Sequence, residues 1–570
     1  MGSLSSSLLT FLLFSYLSCF HVLVLVSAKV FISIDCGSSS LKPYTDDNSI
    51  EWVGDDQYIQ TGEVRNIIEK DQMYGSDPHV MDTLREFPTR KKNCYSIDIN
   101  KGKSEDHTKV ERVLVRASFF YGNYDNKSSP PTFNLQFNGN NWTQVITDTC
   151  LTYVEVVYSL HHGNTVTVCL AQTHRDNVPF ISAIEVRSLD SDMYSYVDSN
   201  YPLFFMSRTA YGTSTNNTIR YPEDSYDRIW QSVGPLSNSS GLLRVRNSSP
   251  SIKVDIADKI PETLFMAAIM PVKASKRNLW FSGWVPDPKV PMHFNAYFSE
   301  VIKLDSTQKR SFNIYLDTYG VNGSNPSFND YGIVNPPYGH ALQVHLNNVS
   351  VESYVEFYEV YMQATNDSTL GPLINALEGY TIGDKLVQGT NSKDVNSLAL
   401  LQKNFIQLQD WQGDPCLPYP FTWDWVDCDS DTDSPRITTL YLNDVGLVRT
   451  LPDFSDMDAL ETIDLGSNSL TGKIPEFLGT LPKLKVLNLA DNDFSGAIPS
   501  SLLNNINLKL TVSGNPNLST NNNTSTNRNS TEPKIPSTSS RKTSITSTIP
   551  IIILGSVIIQ MFDSIFGLLL

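Results

Sequence analysis

The sequence lacks the residue patterns of several common protein classes. No stripe of lysine and arginine runs through its 570 residues, and the formal net charge is −17, which disfavours nucleic acid as a partner. No CxxC pair and no cluster of histidines accompanies the cysteines, so we expect neither a metal nor a cofactor. No Ser-His-Asp or Cys-His arrangement stands out, and no pair of carboxylates is singled out for glycoside hydrolysis. We therefore expect a protein that is not an enzyme.

Protein kinase motifs are also missing from the sequence. It contains no phosphate-binding glycine-rich loop, no kinase strand lysine motif and no Asp-Phe-Gly motif. His174-Arg175-Asp176 spells a kinase catalytic tripeptide, but the leucine and the magnesium-binding asparagine that should follow it are absent. We predict that this tripeptide is an exposed turn.

The amino-terminal segment, residues 1–28, predicts a secretory leader. Its apolar runs are Leu8–Leu13 and Val22–Val26, and the small residues Ser27 and Ala28 precede a cut after position 28. The segment before the first run carries no lysine or arginine. A permanent amino-terminal anchor is therefore the alternative.

The carboxyl-terminal segment, residues 549–570, is an apolar tail that predicts attachment to a membrane. Gln560 and Asp563 lie inside it, and a central aspartate costs about 2.5–3.5 kcal/mol in a spanning helix. The basic pair Arg541–Lys542 lies on the outer side, against the positive-inside rule. These features favour a GPI signal over a single transmembrane helix, with the lipid-anchor candidates Ser537, Ser539 and Ser540.

The cysteines predict a disulfide-bonded, secreted chain. Cys19 falls within the predicted leader, and an even number in a secreted chain indicates disulfides. Short spacing makes Cys416 and Cys428 the firmest pair, while Cys150 and Cys169 flank one predicted hairpin. Cys36 and Cys94 are left over. The disulfide candidates are Cys36, Cys94, Cys150, Cys169, Cys416 and Cys428.

Asn-x-Ser/Thr sequons are frequent. Together with a leader peptide they predict a glycosylated ectodomain. The glycosylation candidates are Asn126, Asn141, Asn216, Asn238, Asn247, Asn322, Asn348, Asn366, Asn517, Asn522, Asn523 and Asn529.

Residues 29–378 predict an all-β region made of two sandwiches, because runs rich in Val, Ile, Tyr and Phe recur between turn signals. We assign residues 29–193 to a first lobe and residues 194–378 to a second lobe. The predicted strands are 110–121, 132–137, 153–158, 165–171 and 181–186 in the first lobe, and 251–256, 264–268, 293–297, 311–316, 340–346 and 354–362 in the second.

Residues 379–435 predict a linker and a cysteine-paired cap for the repeats that follow. Within this segment, residues 394–408 have a helical apolar period, with Asp394 as the cap. The side chains expected to face a core are Val395, Leu398, Leu401, Phe405 and Leu408.

Residues 436–519 contain an internal repeat. The pattern L-x-x-I-x-L-x-x-N-x-L that begins at Leu460 recurs 24 residues later from Leu484, and a shorter copy begins at Ile437. This is the leucine-rich repeat signature, in which asparagine side chains bond the backbone of each turn. Residues 520–548 are rich in Asn, Ser and Thr and predict a disordered stalk.

Several segments resemble the malectin-like domain of plant receptor-like kinases. They are residues 31–37 (FISIDCG), 116–125 (RASFFYGNYD), 141–142 (NW), 179–187 (PFISAIEVR), 220–230 (RYPEDSYDRIW) and 371–378 (GPLINALE). Residues 413–416 (GDPC) and the repeats resemble the leucine-rich ectodomain of the same family. The resemblance implies a mainly β fold with two tandem malectin-like β-sandwich lobes and a short leucine-rich repeat solenoid. It also implies perception of a ligand.

Two sets of side chains are the candidate binding sites. Aromatic rings near turns of the lobes could stack on sugar faces, although such rings in sandwiches are often partly buried; these are Tyr121, Tyr124, Trp142, Tyr226 and Trp230. Repeat side chains expected on the concave face could bind a partner, or form a solvated scaffold face; these are Tyr441, Asn443, Thr462, Asp464, Lys485 and Asn488.

The sequence therefore predicts a receptor-like ectodomain without a kinase, on the extracellular face of the plasma membrane. Its lobes are expected to bind a cell-wall carbohydrate or a secreted peptide, and its repeats a membrane receptor kinase. The alternatives are a structural cell-wall adhesion protein that binds polysaccharide, and a truncated product of a receptor-like kinase gene.

Overall fold

The computed structural model describes the two lobes, the cap and the repeats. The described residues are 30–38, 42–69, 80–99, 111–161, 163–213, 218–236, 241–273, 277–284, 290–320, 329–349, 355–429 and 434–519. The predicted leader, the stalk, the apolar tail and the lipid-anchor candidates lie outside these ranges. Within them, no helix is both long and apolar enough to cross a bilayer.

Within the described residues, the regular elements of the first lobe are all β-strands. Its strands are β1 (Phe31–Asp35), β2 (Tyr44–Thr45), β3 (Glu51–Gly54), β4 (Glu63–Asn66), β5 (Thr83–Glu86), β6 (Lys92–Asp98), β7 (Arg112–Phe119), β8 (Thr132–Phe137), β9 (Asn140–Ile146), β10 (Thr152–Ser159), β11 (Thr165–Ala171), β12 (Phe180–Ile181) and β13 (Ala183–Leu189). The predicted strands at 132–137 and 165–171 have the bounds of β8 and β11.

The second lobe adds further strands and one short 3₁₀ helix, Glu262–Phe265. Its strands are β14 (Leu203–Ala210), β15 (Gln231–Ser232), β16 (Leu242–Arg246), β17 (Ala267–Pro271), β18 (Asn278–Trp284), β19 (Met292–Phe298), β20 (Phe312–Gly320), β21 (Asn329–Val334), β22 (Leu342–Val349), β23 (Val355–Ala364) and β24 (Ala376–Ile382). The predicted strand at 251–256 is wrong, because this segment makes only an isolated bridge between Lys253 and His340.

One large sheet runs through both lobes. Its order is β2-β3-β1-β13-β7-β10-β14-β24-β19-β22, with β15 beside β14. The lobes join where β10 pairs with β14 through Val156 opposite Phe204 and Val157 opposite Leu203. A second sheet, β6-β11-β8-β9, covers the first lobe, and β18-β23-β20-β21 covers the second. Apolar side chains fill the space between the sheets of each lobe.

The cap contains the helix α1 (Ser392–Asn404), a 3₁₀ turn Ile406–Leu408 and the strand β25 (Val426–Cys428). The predicted helix cap Asp394 is wrong: Asn391 caps α1 by accepting a hydrogen bond from the backbone of Lys393. The Asp394 carboxylate instead pairs with Arg436, 2.9 Å away, at the start of the repeats. Val395 is also exposed rather than in the core, whereas the other four predicted core side chains are buried.

The repeats form a solenoid of stacked coils. Their elements are β26 (Ile437–Tyr441), β27 (Val448–Arg449), β28 (Thr462–Asp464), β29 (Ser469–Lys473), the 3₁₀ helix Glu476–Gly479, β30 (Val486–Asn488), β31 (Asp493–Ala497), α2 (Ser500–Leu503), β32 (Lys509–Thr511) and β33 (Asn517–Ser519). Parallel strands β26, β28, β30 and β32 make one sheet, and the cap strand β25 pairs with β26 at its edge in antiparallel fashion. Asn468 donates to the carbonyl of Leu442 at 2.7 Å, and Asn492 donates to that of Leu465 at 2.9 Å. This asparagine ladder confirms the repeat prediction.

The structure confirms the predicted disulfide between Cys416 and Cys428, but it does not pair Cys150 with Cys169 or Cys36 with Cys94. Cys94 bonds Cys169, with Cα atoms 4.0 Å apart, and Cys416 bonds Cys428. Cys36 and Cys150 make no disulfide within the part of the chain that the structure describes. The predicted hairpin is wrong because β10 and β11 belong to different sheets. Cys94 and Cys169 lie directly opposite each other on paired β6 and β11.

Candidate functional site

Four of the segments that carry the family resemblance contribute to a buried lattice of charges between the lobes: residues 116–125, 179–187, 220–230 and 371–378. Arg116 on β7 contacts Glu155 on β10 at 2.9 Å and Glu185 on β13 at 3.0 Å. The other oxygen of Glu155 contacts Arg208 on β14 at 2.8 Å, and Arg208 also contacts Glu378 on β24 at 2.7 Å. Because all five side chains are buried, the lattice fastens the two lobes at their shared sheet.

A loop of the second lobe closes the same lattice. Asp227 is fully buried and contacts Arg187 at 2.7 Å and Arg220 at 2.8 Å. In the same segment, Asp224 contacts Arg228 at 2.8 Å and accepts a hydrogen bond from the Trp230 indole at 2.9 Å. The motif RYPEDSYDRIW is thus explained by structure, since four of its charged side chains pair inside the molecule: Arg220, Asp224, Asp227 and Arg228.

The arginines of the lattice lower the pKa of two of its buried carboxylates, Glu378 and Asp227. Burial alone would raise the pKa of Glu378, but the guanidinium groups of Arg208 and Arg228 outweigh burial and lower this pKa to about 2. The pKa of Asp227 is lowered in the same way. Burial alone would raise this pKa, but the guanidinium groups of Arg220 and Arg187 outweigh burial. Several charges are therefore committed to holding the lobes together, and they are not available to a ligand.

The five aromatic side chains predicted to bind a ligand are all buried, at 0–7% exposure: Tyr121, Tyr124, Trp142, Tyr226 and Trp230. They are not an exposed stacking platform, because they sit within the sandwich cores or against the lattice. Tyr121, for example, contacts Tyr124 with ring centroids 5.5 Å apart. Their burial agrees with the alternative interpretation, in which these rings belong to the core.

One of the five nevertheless lines a polar cavity of the first lobe. Tyr124 forms part of the wall of a cavity of about 390 Å³. The other lining residues are Arg65, Glu86, Pro88, Asp125, Asn126, Lys127 and Val178. A wall of both charges beside one ring can offer hydrogen bonds and a small apolar surface to a polar ligand.

A second cavity, of about 420 Å³, lies beside the junction of the lobes and includes Arg112, His161 and several serines. The Arg112 guanidinium donates to the carbonyl of Met193 at 2.7 Å and of Val197 at 3.4 Å. This arginine therefore holds the segment between the lobes.

The predicted partner-binding residues of the repeats lie at or beside the β26-β28-β30-β32 sheet. Tyr441, Asp464 and Asn488 are directly aligned across three strands. Tyr441 is 44% exposed. Asn443 and Lys485 are exposed, and Thr462, Asp464 and Asn488 are half-buried. The residues form one accessible surface, which we call the repeat face.

The cap of the repeats is docked onto the first lobe. Arg90 lies 4.2 Å over the Trp411 ring, and Lys92 donates to the carbonyls of Asp414 at 2.7 Å and Leu417 at 3.0 Å. Burial lowers the pKa of Lys92 to about 8, opposed by Asp414 and Asp424.

Gly413 packs against the disulfide of the first lobe, where a Cβ at this position would lie 2.5 Å from Cys94 Sγ. Residues 413–416 are therefore a joint between lobe and repeats.

The predicted exposed turn at His174-Arg175-Asp176 is confirmed, since all three residues are exposed in a loop. No group of His, Cys, Asp or Glu residues within the described ranges could hold a metal ion. Of the sequons, Asn126, Asn141, Asn366 and Asn517 are exposed, whereas Asn247 is buried. The side chain of Asn348 and the remaining sequons lie outside the described residues.

Paired β-sandwich lobes followed by a docked repeat solenoid define the class of this chain. The malectin-like domain family matches residues 34–382, and the leucine-rich repeat family matches residues 459–481 and 483–505. The chain belongs to the malectin-like family. The resemblance to the ectodomains of plant receptor-like kinases is thereby confirmed.

Relatives from Arabidopsis thaliana match over most of the chain. Uncharacterized protein At1g24485 is 34% identical over 375 residues, which cover 65% of this chain and 68% of that protein. Probable LRR receptor-like serine/threonine-protein kinase At1g05700 is 33% identical over 448 residues, which cover 77% and 49% of the two chains. This chain spans about half the length of the curated receptor kinases it matches.

Solved structures share the fold of the lobes. The crystal structure of the ANX2 ectodomain from Arabidopsis thaliana has a TM-score of 0.51 and 17% identity, and it covers 62% of this chain and 97% of that chain. The structure of the plant receptor-like kinase FER has a TM-score of 0.50 with 17% identity and covers 62% and 96% of the two chains.

Proposed function

We propose that this chain is a receptor-like recognition protein of the plant cell surface, with lobes that bind a ligand and repeats that bind a membrane receptor kinase. The observation that carries the proposal is the alignment of Tyr441, Asp464 and Asn488 on one accessible sheet. Parallel sheets of repeat proteins commonly present extended concave binding surfaces. The kinship with receptor kinases supports the same role.

The repeat face has chemistry suited to a protein partner. Asn488 donates to Asp464 at 2.8 Å, and the Tyr441 hydroxyl donates to Asp427 at 2.8 Å, so both groups are held in position before a partner arrives. Preorganised side chains lose little conformational entropy on binding. A tyrosine between polar neighbours is also typical of binding hot spots.

The ligand of the lobes is, in this proposal, a carbohydrate. The cavity at Tyr124 carries Arg65, Asp125 and Lys127 beside the ring, which provides donors and acceptors for hydroxyl groups. A secreted peptide is the alternative ligand. Membrane attachment through residues 549–570 belongs to the same proposal, and release by phosphatidylinositol-specific phospholipase C would distinguish a lipid anchor from a spanning helix.

The proposal is tested by expressing the full chain in plant cells and measuring its association with receptor kinases. An Asp464→Ala/Asn488→Ala variant should lose the associated kinase. Leu503→Ala is the matched control, because Leu503 is 63% exposed on α2, outside the strand sheet. Equal kinase recovery with both variants would contradict a role for the repeat face.

A further inference from the structure

The outer sheets of the two lobes have the same strand order. In the first lobe the order is β6-β11-β8-β9, and in the second lobe it is β18-β23-β20-β21. In both, the first strand along the chain lies at the edge and pairs antiparallel with the last. The strands β6 and β18 therefore occupy equivalent edges, and the two edges can be compared directly.

The edge of β6 is covered by other parts of this chain. The backbone N–H of Ser96, on β6, donates to the carbonyl of Tyr58 at 3.1 Å. The Lys92 side chain, on the same strand, donates to two backbone carbonyls of the cap. The first lobe thus closes its sheet edge with its own loop and with the cap of the repeats.

The hydrogen-bond pattern of β18 shows which of its backbone groups face away from the sheet. Ala364 donates to the carbonyl of Arg277 at 2.8 Å, one position before the first aligned pair of β23 and β18. Because hydrogen-bonded and non-hydrogen-bonded pairs alternate in an antiparallel ladder, every second residue after Arg277 bonds β23. The residues between them direct their N–H and C=O groups to the open side, which we call the β18 edge: Asn278, Trp280 and Ser282.

The β18 edge is bare within the part of the chain that the structure describes, since no described backbone group bonds it. Its sequence, NLWFSGW, has no charged residue, no proline and no sequon. Natural edge strands usually carry a feature that prevents pairing with another chain. Here β9 and β22 carry the sequons Asn141 and Asn348, and β21 carries Asp330. The β18 edge is therefore open to a further strand.

We propose that the β18 edge is a self-association surface, to which a second copy of this chain adds its own β18 in antiparallel pairing. A two-fold axis at Phe281 keeps all seven residues of both strands paired. It also brings the outward-facing backbone groups together, because Trp280 then lies opposite Ser282 of the second copy, and Asn278 opposite Trp284 of the second copy. Two four-stranded sheets become one continuous sheet.

The chemistry of the strand suits a second copy. No charge lies on β18, so the two-fold pairing brings no like charges together at the edge. Leu279 is 2% exposed in the core, so Trp280 lies on the outer face, where it is 47% exposed. Directly opposite residues share a face, so each indole covers the small Ser282 of the other copy and loses apolar surface to water.

The association is weak in dilute solution and strengthened at a membrane. Each copy carries a net charge of −17, which opposes the approach of two copies, and one pair of strands is a small interface. Attachment to a shared membrane raises the effective concentration of the copies. This part of the inference rests on the membrane attachment in the proposed function.

The test expresses two differently tagged forms of the full chain in plant cells and measures the recovery of one with the other. Ser282→Pro removes an N–H that faces the open side, so the bonds to β23 remain while the edge loses a donor. With this change in both forms, co-recovery should fall about tenfold. Ser282→Ala is the matched control, because it keeps the backbone donor and should stay within about twofold of the wild type.

Disulfide formation tests the register, in a Cys150→Ser background that removes a half-buried thiol. A Trp280→Cys form expressed with a Ser282→Cys form should give a covalent dimer on non-reducing gels. The two positions are opposite each other, and Cα atoms about 5.5 Å apart permit a disulfide. Ile333→Cys in both forms is the control and should give no dimer, because Ile333 is 62% exposed on β21, at the far edge of the same sheet.

Equal co-recovery with Ser282→Pro and Ser282→Ala, or no covalent dimer between positions 280 and 282, would overturn the self-association surface. Equal cross-linking from Ile333→Cys, or a cross-link from Trp280→Cys to a different protein, would overturn it as well. Recovery of the receptor kinase, measured on the same variants, should be unchanged. Lost self-association with intact kinase recovery would therefore leave the proposed function standing.

Discussion

Glu155 on β10 lies 2.8 Å from Arg208 on β14, so a buried carboxylate of the first lobe pairs with a buried guanidinium of the second. The same carboxylate accepts from Arg116 of its own lobe at 2.9 Å. The two lobes are thus joined by a continuous sheet and by shared charges at its centre. We infer that they move as one unit and present their surfaces in a fixed relation.

Removing the shared carboxylate should destabilise the whole pair of lobes. Glu155→Gln leaves Arg116 and Arg208 buried without their common partner, and breaking such a pair costs about 3–5 kcal/mol. The matched control is Glu461→Gln, which breaks the exposed Glu461–Lys485 pair of 2.7 Å and should cost at most about 1 kcal/mol. The free energies of unfolding come from urea titration, and similar values for the two variants would contradict the structural role of the lattice.

The lattice also predicts a pH dependence of stability. The folded-state pKa of Glu378 is lowered from 4.5 to about 2, so this group stabilises the fold above pH 4.5 and loses that contribution as pH falls towards 2. Glu378→Gln should therefore be less stable than the wild type at pH 6, with a difference that shrinks between pH 4.5 and 2. Urea titrations across this range measure the difference, and a gap that stays constant would argue against the assigned charge pairing.

The joint between lobe and repeats should be sensitive to a single methyl group. A Cβ at Gly413 would lie 2.5 Å from Cys94 Sγ, and φ at this residue is +76°. Gly163 has a similar φ of +70° but nothing within 4 Å of a Cβ, so Gly163→Ala measures the backbone cost alone. Gly413→Ala should lower the melting temperature more than this control and speed proteolysis between lobe and cap. Equal effects of the two alanines would mean that the joint does not pack as described.

The sequons should be used unequally. The Asn247 side chain is 5% exposed, donates to the carbonyl of Phe265 at 3.1 Å and accepts from the backbone of Ser249 at 2.9 Å. A glycan on its nitrogen would break this contact, so we expect Asn247 to be unmodified and exposed Asn366 to be glycosylated. Glycopeptide mass spectrometry of the chain secreted from plant cells measures the fraction of each site that carries a glycan. Full occupancy of Asn247 would show that this segment packs differently.

Regular patterns in the sequence predicted the parts of the fold that depend on local periodicity. The repeat spacing placed Asn468 and Asn492 correctly, and β8 and β11 follow directly from their apolar runs. Local periodicity does not predict which distant segments of the chain pair with each other. The partner of Cys169 depends on which sheet β11 joins, and that choice is made by packing far along the chain.

The binding surfaces illustrate the same limit. Trp230 and Tyr226 looked like ligand rings because aromatic residues near turns are ambiguous between core and surface, and both are buried.

The most direct test of the account places a photo-reactive benzophenone side chain on the repeat face of the full chain in plant cells. With the probe at Tyr441, which is 44% exposed, irradiation should cross-link the chain to a membrane receptor kinase. With the probe at Leu503, which is 63% exposed on α2, it should not. Cross-linking to the kinase from Leu503 but not from Tyr441, or from neither position, would contradict the assignment of the repeats as the partner-binding surface.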